Sequence, residues 1–246
     1  LGGNVAERPP FDSIVVVGLG GIFSRLWLNL GDLAEFTEAS PKRILLIDGD
    51  DVEEKNVSRQ GFIRTDLGKK KSQVYEDRMR RRYPALTIAS RGDFLTPKNM
   101  RDFIPDRSIV LSAVDNNKTR LQISAHAQAL KDVVVISGGN EIWDGTVYLY
   151  VRESGVSKVM PLEEKHESVK NPKDKNPGEM SCEERLSQKG GEQILVTNAM
   201  VAVHMAAMFH DVLRSWTEWK GKEVKKTGEV SFDVRDYCSL GYVRNP

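Results

Sequence analysis

The segment SIVVVGLGGIFS (13–24) constrains this chain more than any other. Its continuous Ile and Val run predicts a strand covered on both faces, because a strand with one wet face alternates polar and apolar residues. Gly18, Gly20 and Gly21 follow at once, and glycine lets the backbone turn tightly and come close to a ligand. The helix after them presents its first N–H groups outward, where an anion is favoured. NAD, FAD and ATP all use such turns, so the loop alone does not choose among them. A strict GxGxxG would also carry glycine where this chain has Phe23, which alters helix-to-strand packing. A turn that merely connects strand and helix is the plainer alternative.

Four more runs of the same kind follow: RILLID (43–48), LTIAS (86–90), SIVLSAV (108–114) and VVVISGG (133–139). Helical patterns lie between them at 21–33, 70–83 and 118–130. A shorter one begins TPKNMRDF, with Thr96 read as N-cap and Pro97 as first helical residue. Alternating β and α of this polarity predicts a doubly wound, mostly parallel α/β sheet of Rossmann-like form. The rest of the chain reads as a mixed extension. TVYLYV (146–151) predicts a strand after a turn at Asp144-Gly145, and 229–235 and 241–244 predict terminal strands. Residues 193–216 predict a long helix with Val196, Ala199, Met200, Val203, Ala206, Ala207 and Val212 on the sheet. Between strand and helix, 152–192 is polar and dotted with proline, which predicts a mobile crossover loop. One domain is expected over 1–246, with a nucleotide-binding core at 11–139 and a C-terminal part at 193–246.

Lys+Arg 36 against Asp+Glu 35 gives a net charge of +1, which provides no global attraction for nucleic acid. Two cysteines, Cys182 and Cys238, make neither a disulfide framework nor a CxxC pair, so a reducing, cytoplasmic setting is expected. No uninterrupted apolar run reaches the roughly 20 residues of a membrane span, and no signal-peptide pattern opens the chain.

DGDDVEEKNVSRQGF (48–62) follows the second strand. Asp48 is placed to accept hydrogen bonds from ribose hydroxyls, a role shared with dehydrogenases. Dehydrogenases do not need the Asn56, Arg59 and Gln60 that come next. A returning loop can aim the planar fork of Arg59 at phosphates, with Asn56 and Gln60 beside it; an ordinary Asp48–Arg59 ion pair is the alternative. Lys71, in the run LGKKKS, supplies a second cation, or else belongs to a solvated helix start. Asp115 follows the fourth strand on the same edge. A carboxylate facing a triphosphate implies Mg²⁺ between them, unless Asp115 caps the next helix. The four histidines form no coherent site.

This constellation resembles the ThiF/MoeB/HesA family, bacterial relatives of ubiquitin-activating enzymes. The matching residues are Gly18, Gly20, Gly21 with Ser24, Asp48, the NxxRQ of Asn56, Arg59 and Gln60, Lys71, and Asp115-Asn116 with Arg120. Asp50, in DGDxVEEKN, Gly138 to Asn140, and the QxxxxN of Gln193 and Asn198 add a likeness to small single-domain members. These are encoded beside ubiquitin-like proteins, conjugating enzymes and JAB-type peptidases. The resemblance implies adenylation of the C-terminal glycine of a ubiquitin-like protein with Mg-ATP, by a homodimer. The two CxxC pairs that hold zinc in many members are absent, so no zinc is expected. Members that hand the modifier to a conjugating enzyme use a loop cysteine; Cys182, in GEMSCEERL, fits that place, and a thiol at a helix start gains thiolate character. An unremarkable loop cysteine is the alternative. Met200, Met205, Met208 and Phe209 are expected to offer the dimer an apolar surface.

Three rival readings remain. An NAD-dependent oxidoreductase leaves Arg59, Lys71 and Asp115 unexplained. An ATP-dependent dehydratase of the tRNA base threonylcarbamoyladenosine is another branch of the family, and DFLTPKNM resembles a segment found there. A non-enzymatic scaffold conflicts with the retained Arg59, Lys71 and Asp115.

Overall fold

The computed structural model describes residues 11–181, 184, 195–219, 228–236 and 241–242. Strands β1 (Ser13–Val17), β2 (Arg43–Ile47), β3 (Thr87–Arg91), β4 (Ser108–Ser112) and β5 (Val133–Asn140) are parallel, in the order β3-β2-β1-β4-β5. The sheet continues antiparallel through β6 (Asp144–Glu153), β8 (Glu229–Asp233) and β9 (Gly241–Tyr242), with β7 (Val156–Ser157) pairing the end of β6. The expected fold class holds: doubly wound α/β with a mixed C-terminal extension.

The continuous apolar runs form strands because both faces are covered. Ile14 to Val17 and all five residues of β4 are buried. On one side lie α1 (Phe23–Phe36), α3 (Lys71–Arg82) and α8 (Leu195–Trp219). Gly31 of α1 takes the ring of Tyr83, where a Cβ would come within 2.0 Å of it, and the Tyr83 hydroxyl donates to the Leu28 carbonyl at 2.8 Å. On the other side α5 (Asn117–Ala127) packs on β5, with α4 (Met100–Phe103), α6 (Leu162–Lys165) and α7 (Glu167–Lys170) against it. The short α2 (Glu54–Val57) lies in the loop after β2. Each wholly buried Ile, Leu or Val contributes roughly 1.5–3 kcal/mol relative to exposure, so the parallel half carries most of the core.

Several expectations need correction. Thr96 does not cap a helix that starts at Pro97. Its N–H donates to Asn99 Oδ1 at 2.8 Å in a turn, and α4 begins only at Met100. The buried stripe of α8 is rotated from the expected one: Val201, Ala202, Met205, Ala206, Phe209, Val212 and Leu213 face inward, while Val196 is 56% and Val203 58% exposed. Met205 and Phe209 belong to the core and are not dimer surface. The stretch Leu195–Arg214 has the length and hydropathy of a membrane span, which a search for unbroken apolar runs does not see, but its buried face packs on α1, β5 and β6.

The polar crossover also divides. Its described part, 152–181 and 184, holds the end of β6, β7, α6, α7 and a 3-10 turn at Pro177–Glu179. Lys165 reaches the buried Glu229 at 2.7 Å, which fastens α6 to β8. Cys182, Gln193 and Cys238 lie outside the described residues.

Candidate functional site

The chain runs from β1 outward to β3, then crosses back to β4, so the strand order reverses between β1 and β4. Ligands of open α/β sheets sit at such a switch point, outside the carboxyl ends of the strands. Register fixes who stands there. Val17 pairs with Ile47 on one side and Ser112 on the other, so Gly18, Asp48 and Ala113 leave the sheet together.

Gly18 has φ +86°, and a Cβ there would lie 2.8 Å from the Ala113 carbonyl oxygen. Only glycine fits both demands. At Gly21 a Cβ would come within 2.4 Å of the Asn198 amide, which descends from α8 and is buried. At Gly20 the neighbour is Gln60, at an ordinary 3.6 Å. Gly20, Gly21 and Ile22 line the cavity at the start of α1.

Phe23, where the dinucleotide pattern has glycine, is wholly buried. Its ring meets Tyr75 of α3 edge-on, and the Tyr75 hydroxyl donates to the Gln60 carbonyl at 3.1 Å. Burial raises the Tyr75 pKa far above the usual phenol value, which keeps this donor protonated. Phe62 meets the same ring edge-on, and Arg78 donates to the Gly61 carbonyl at 2.9 Å. The missing glycine is thus replaced by an aromatic peg that fastens the Arg59–Gln60 loop above the glycine turn.

Asp48 Oδ2 accepts from the Leu19 N–H at 2.7 Å, and Oδ1 from the Asp50 N–H at 2.8 Å. Burial, joined by the neighbouring Asp50, pushes its pKa up to about 6 against the pull of Lys71 and those two N–H groups. The lysine run resolves clearly. Lys69 is exposed, Lys70 pairs with Asp51 at 2.9 Å, and Lys71 is buried with its ammonium 2.9 Å from Asp50 Oδ2. Burial alone would lower the Lys71 pKa, but Asp48, Asp50 and Asp115 outweigh it and the net direction is up. Lys71 is a charged, fixed cation.

Asn116, not Asp115, caps α5: its Oδ1 accepts from the Thr119 N–H at 2.8 Å. The Asp115 carboxylate is left on the cavity wall. Arg120 donates to the Val114 carbonyl at 2.8 Å and lies beneath Gly139, where a Cβ would meet its guanidinium at 2.4 Å. It braces the ends of β4 and β5.

One cavity is lined by Gly18, Gly20, Gly21, Asp48, Asp50, Gln60, Lys71, Asp115 and Asn116. Asn56 and Arg59 are not on its wall. Asn56 is buried and closes a capping box, its Oδ1 accepting from the Glu53 N–H at 2.8 Å. Its carbonyl accepts from Gln60 N–H at 2.8 Å, so Asn56 shapes the loop that carries Arg59 and Gln60. Sequence reasoning missed Phe94, Leu95, Asn176 and Pro177 on the wall. An Asn-Pro-Gly turn in a polar stretch was the signal available for the last two. A second cleft shares Asp115, Arg120 and Asn140 with the first and runs over Gly139 and Thr146 to His166.

A parallel sheet with its glycine turn, acidic strand end and buried lysine gathered at the switch point defines a doubly wound α/β protein of Rossmann type. Residues 11–236 match the ThiF family, and the chain belongs to it. It is 30% identical over 128 residues to the tRNA threonylcarbamoyladenosine dehydratase of Haemophilus influenzae, covering 51% of this chain and 47% of that protein. It is 29% identical over 123 residues to the sulfur carrier protein ThiS adenylyltransferase of Escherichia coli, covering 50% and 47%. The alignments thus span about half the length of these relatives. Among solved structures, E. coli MccB in complex with N-formylated MccA superposes with TM-score 0.71 at 17% identity, over 96% of this chain and 65% of that one. PaaA gives 0.67 at 17% identity, over 98% and 66%. At such identity these likenesses speak for the fold alone.

Proposed function

We propose that this chain uses Mg-ATP to adenylate the C-terminal glycine of a ubiquitin-like protein. The observation that carries the reading is the buried Lys71, held 2.9 Å from Asp50 on the wall of one cavity with Asp48 and Asp115. A lone dinucleotide fold needs only the acid. A fixed cation beside a free-standing carboxylate suits a polyphosphate and its metal.

In this reading the ribose hydroxyls donate to Asp48, and the phosphates lie against the glycine turn and the first N–H groups of α1. Lys71, on the cavity wall, takes phosphate charge, whereas Arg59 would reach the phosphates only if its loop moved inward. The carboxylate of the tail attacks the α-phosphorus, the bond to the β-phosphate oxygen breaks, and pyrophosphate leaves. Two anions must be held together, so the chain's work is positioning and charge compensation. Among the described residues no cluster of three His, Cys, Asp or Glu side chains forms a metal cage. That suits Mg²⁺, which takes one or two carboxylates and completes its shell with phosphate oxygens and water; Asp115 would hold it, and the ion would screen the triphosphate. The second cleft gives the tail a route to Asp115.

Cys182 is proposed to accept the acyl group next: its thiolate attacks the acyl carbonyl, AMP leaves, and the resulting thioester passes to a conjugating enzyme. A homodimer, also proposed, would use the outward Val196 and Val203 of α8. A second reading is favoured by the first relative above, a tRNA threonylcarbamoyladenosine dehydratase at 30% identity; the net charge of +1 offers a tRNA little attraction.

ATP–pyrophosphate exchange with a ubiquitin-like protein or with tRNA as acceptor separates the two. Exchange is expected with the protein, lost in Asp115→Ala and kept in Cys182→Ala, which loses only the thioester. Exchange stimulated by tRNA alone would overturn the assignment.

A further inference from the structure

Residues 174–178 hold one wall of the cavity to the far half of the sheet, a task the adenylation step does not ask of them. Asp174 accepts the Asn117 N–H at 2.7 Å and the Lys118 N–H at 2.8 Å, so the chain's own carboxylate occupies the start of α5. The buried Asn176 donates to the Leu95 carbonyl at 2.8 Å and the Gln122 amide oxygen at 2.5 Å, and accepts the Gly178 N–H at 2.8 Å. Asn176 and Pro177 line the cavity itself. Gly178 presses on Phe94, where a Cβ would lie 2.8 Å from Phe94 Cβ and 2.5 Å from Thr96 Cγ2. On its other side Phe94 meets Gly49, where a Cβ would lie 2.5 Å from the ring. Phe94 therefore touches this segment through its Cβ and the turn that carries Asp48 and Asp50 through its ring.

We propose that residues 174–178 are a clasp coupled to the nucleoside end of the nucleotide, resting on the reading that this cavity binds one. The segment holds no regular structure beyond a single 3-10 turn, so the contacts of Asp174, Asn176 and Gly178 set its closed form. A ligand that touches Asn176, Pro177 and Phe94 favours the closed form, and linkage requires that loosening the clasp weaken that ligand by the same factor. The contact is with the ribose and base side, beside Gly49, and not with the phosphates at the glycine turn. The clasp therefore stays shut on AMP or an acyl-adenylate after pyrophosphate has left, which keeps water from the activated carbonyl.

Hydrogen exchange on the full chain tests this, with AMP and with pyrophosphate as separate ligands. AMP is expected to slow exchange of the Asn117, Lys118 and Gly178 amides about tenfold, and pyrophosphate to leave them unchanged. Asp174→Ala and Gly178→Ala are expected to weaken AMP binding by about the same factor, while Lys175→Ala, whose partner is the exposed Glu184, keeps it. If AMP binds the native chain but leaves those amides unprotected, or pyrophosphate protects them equally, the clasp is refuted and the nucleotide reading stands. If AMP and ATP both fail to bind, the two fall together. The native-chain measurement decides the matter even if a variant does not fold.

Discussion

The rings of Phe23 and Tyr75 lie 4.8 Å apart at 83°, edge to face, at the position where a dinucleotide loop has its third glycine. The contact links α1 to α3, and through the Tyr75 hydroxyl to the Gln60 carbonyl, so one substitution in the fingerprint reorganises the loop above it. Restoring the pattern is predicted to harm the protein. Phe23→Gly removes a wholly buried ring and places glycine in a helix, which together cost about 4–6 kcal/mol. Guanidinium unfolding reads the loss. Equal stability of the variant would show that the ring is not the peg described. Tyr75→Phe keeps the ring pair and loses the hydroxyl bond, for about 0.5–1.5 kcal/mol.

Gly20 and Gly21 are adjacent and chemically identical, and their alanine variants are predicted to fail differently. A Cβ at Gly21 meets the amide of the buried Asn198 at 2.4 Å, so that side chain must shift. Gly21→Ala should therefore lose about 1–3 kcal/mol of stability. A Cβ at Gly20 meets only Gln60 at 3.6 Å, so Gly20→Ala should fold normally and bind ATP more weakly, its methyl standing where a phosphate approaches. Calorimetry paired with nucleotide titration separates the two. Loss of ATP binding in neither variant would count against the glycine turn as a phosphate seat.

Most of the fold was legible because parallel strands covered on both faces are continuous apolar runs, and the chemistry clusters at their ends. Asp48, Lys71 and Asp115 were each readable as the charged residue that follows such a run or opens a helix. The capping box of Asn56 was not legible, since a buried capping-box amide and a ligand-facing one have the same letter and spacing. The inward stripe of α8 was misplaced because its apolar residues cover more than one face, and only the neighbours of Met205 and Phe209 decide which face is buried. The long-range roles of Asp174 and Asn176 were not legible: Asp174 meets backbone N–H groups more than 50 positions away, Asn176 meets the Leu95 carbonyl and the Gln122 amide, and the composition around them is that of a loose segment.

Lys71 is predicted to be irreplaceable by arginine. Its side chain is 7% exposed and its ammonium sits against Asp50, with Asp48 and Asp115 also acting on it. A guanidinium is larger and planar, and it cannot repeat the ammonium's position against Asp50. Lys71→Arg and Lys71→Met should each reduce ATP–pyrophosphate exchange at least 100-fold, about the effect of removing one preorganised charge contact. In Lys71→Met the Asp48 carboxyl, deprived of its neighbouring cation, should titrate higher still. Exchange retained in Lys71→Met would remove the residue from the proposed mechanism.

The same carboxyl sets the pH dependence. Asp48 titrates near 6 in the folded chain, above the 3.8 of an ordinary aspartate, because burial opposes its charge. Between those values the folded state holds a proton that the unfolded state has released, so this group's contribution to stability falls as pH rises from about 4 to about 6 and is level above. Nucleoside binding has the opposite sign. The ionised carboxylate is the stronger acceptor for ribose hydroxyls, so the Kd for adenosine should be flat above about pH 6.5 and weaken below 6, with a limiting slope near tenfold per pH unit. Adenosine is the probe because it has no phosphate to titrate in that range. Asp48→Asn has no carboxyl to ionise, so both dependences should flatten in it, with adenosine bound weakly throughout. A native chain whose adenosine affinity stays level from pH 5 to 7 would show that Asp48 does not hold the ribose.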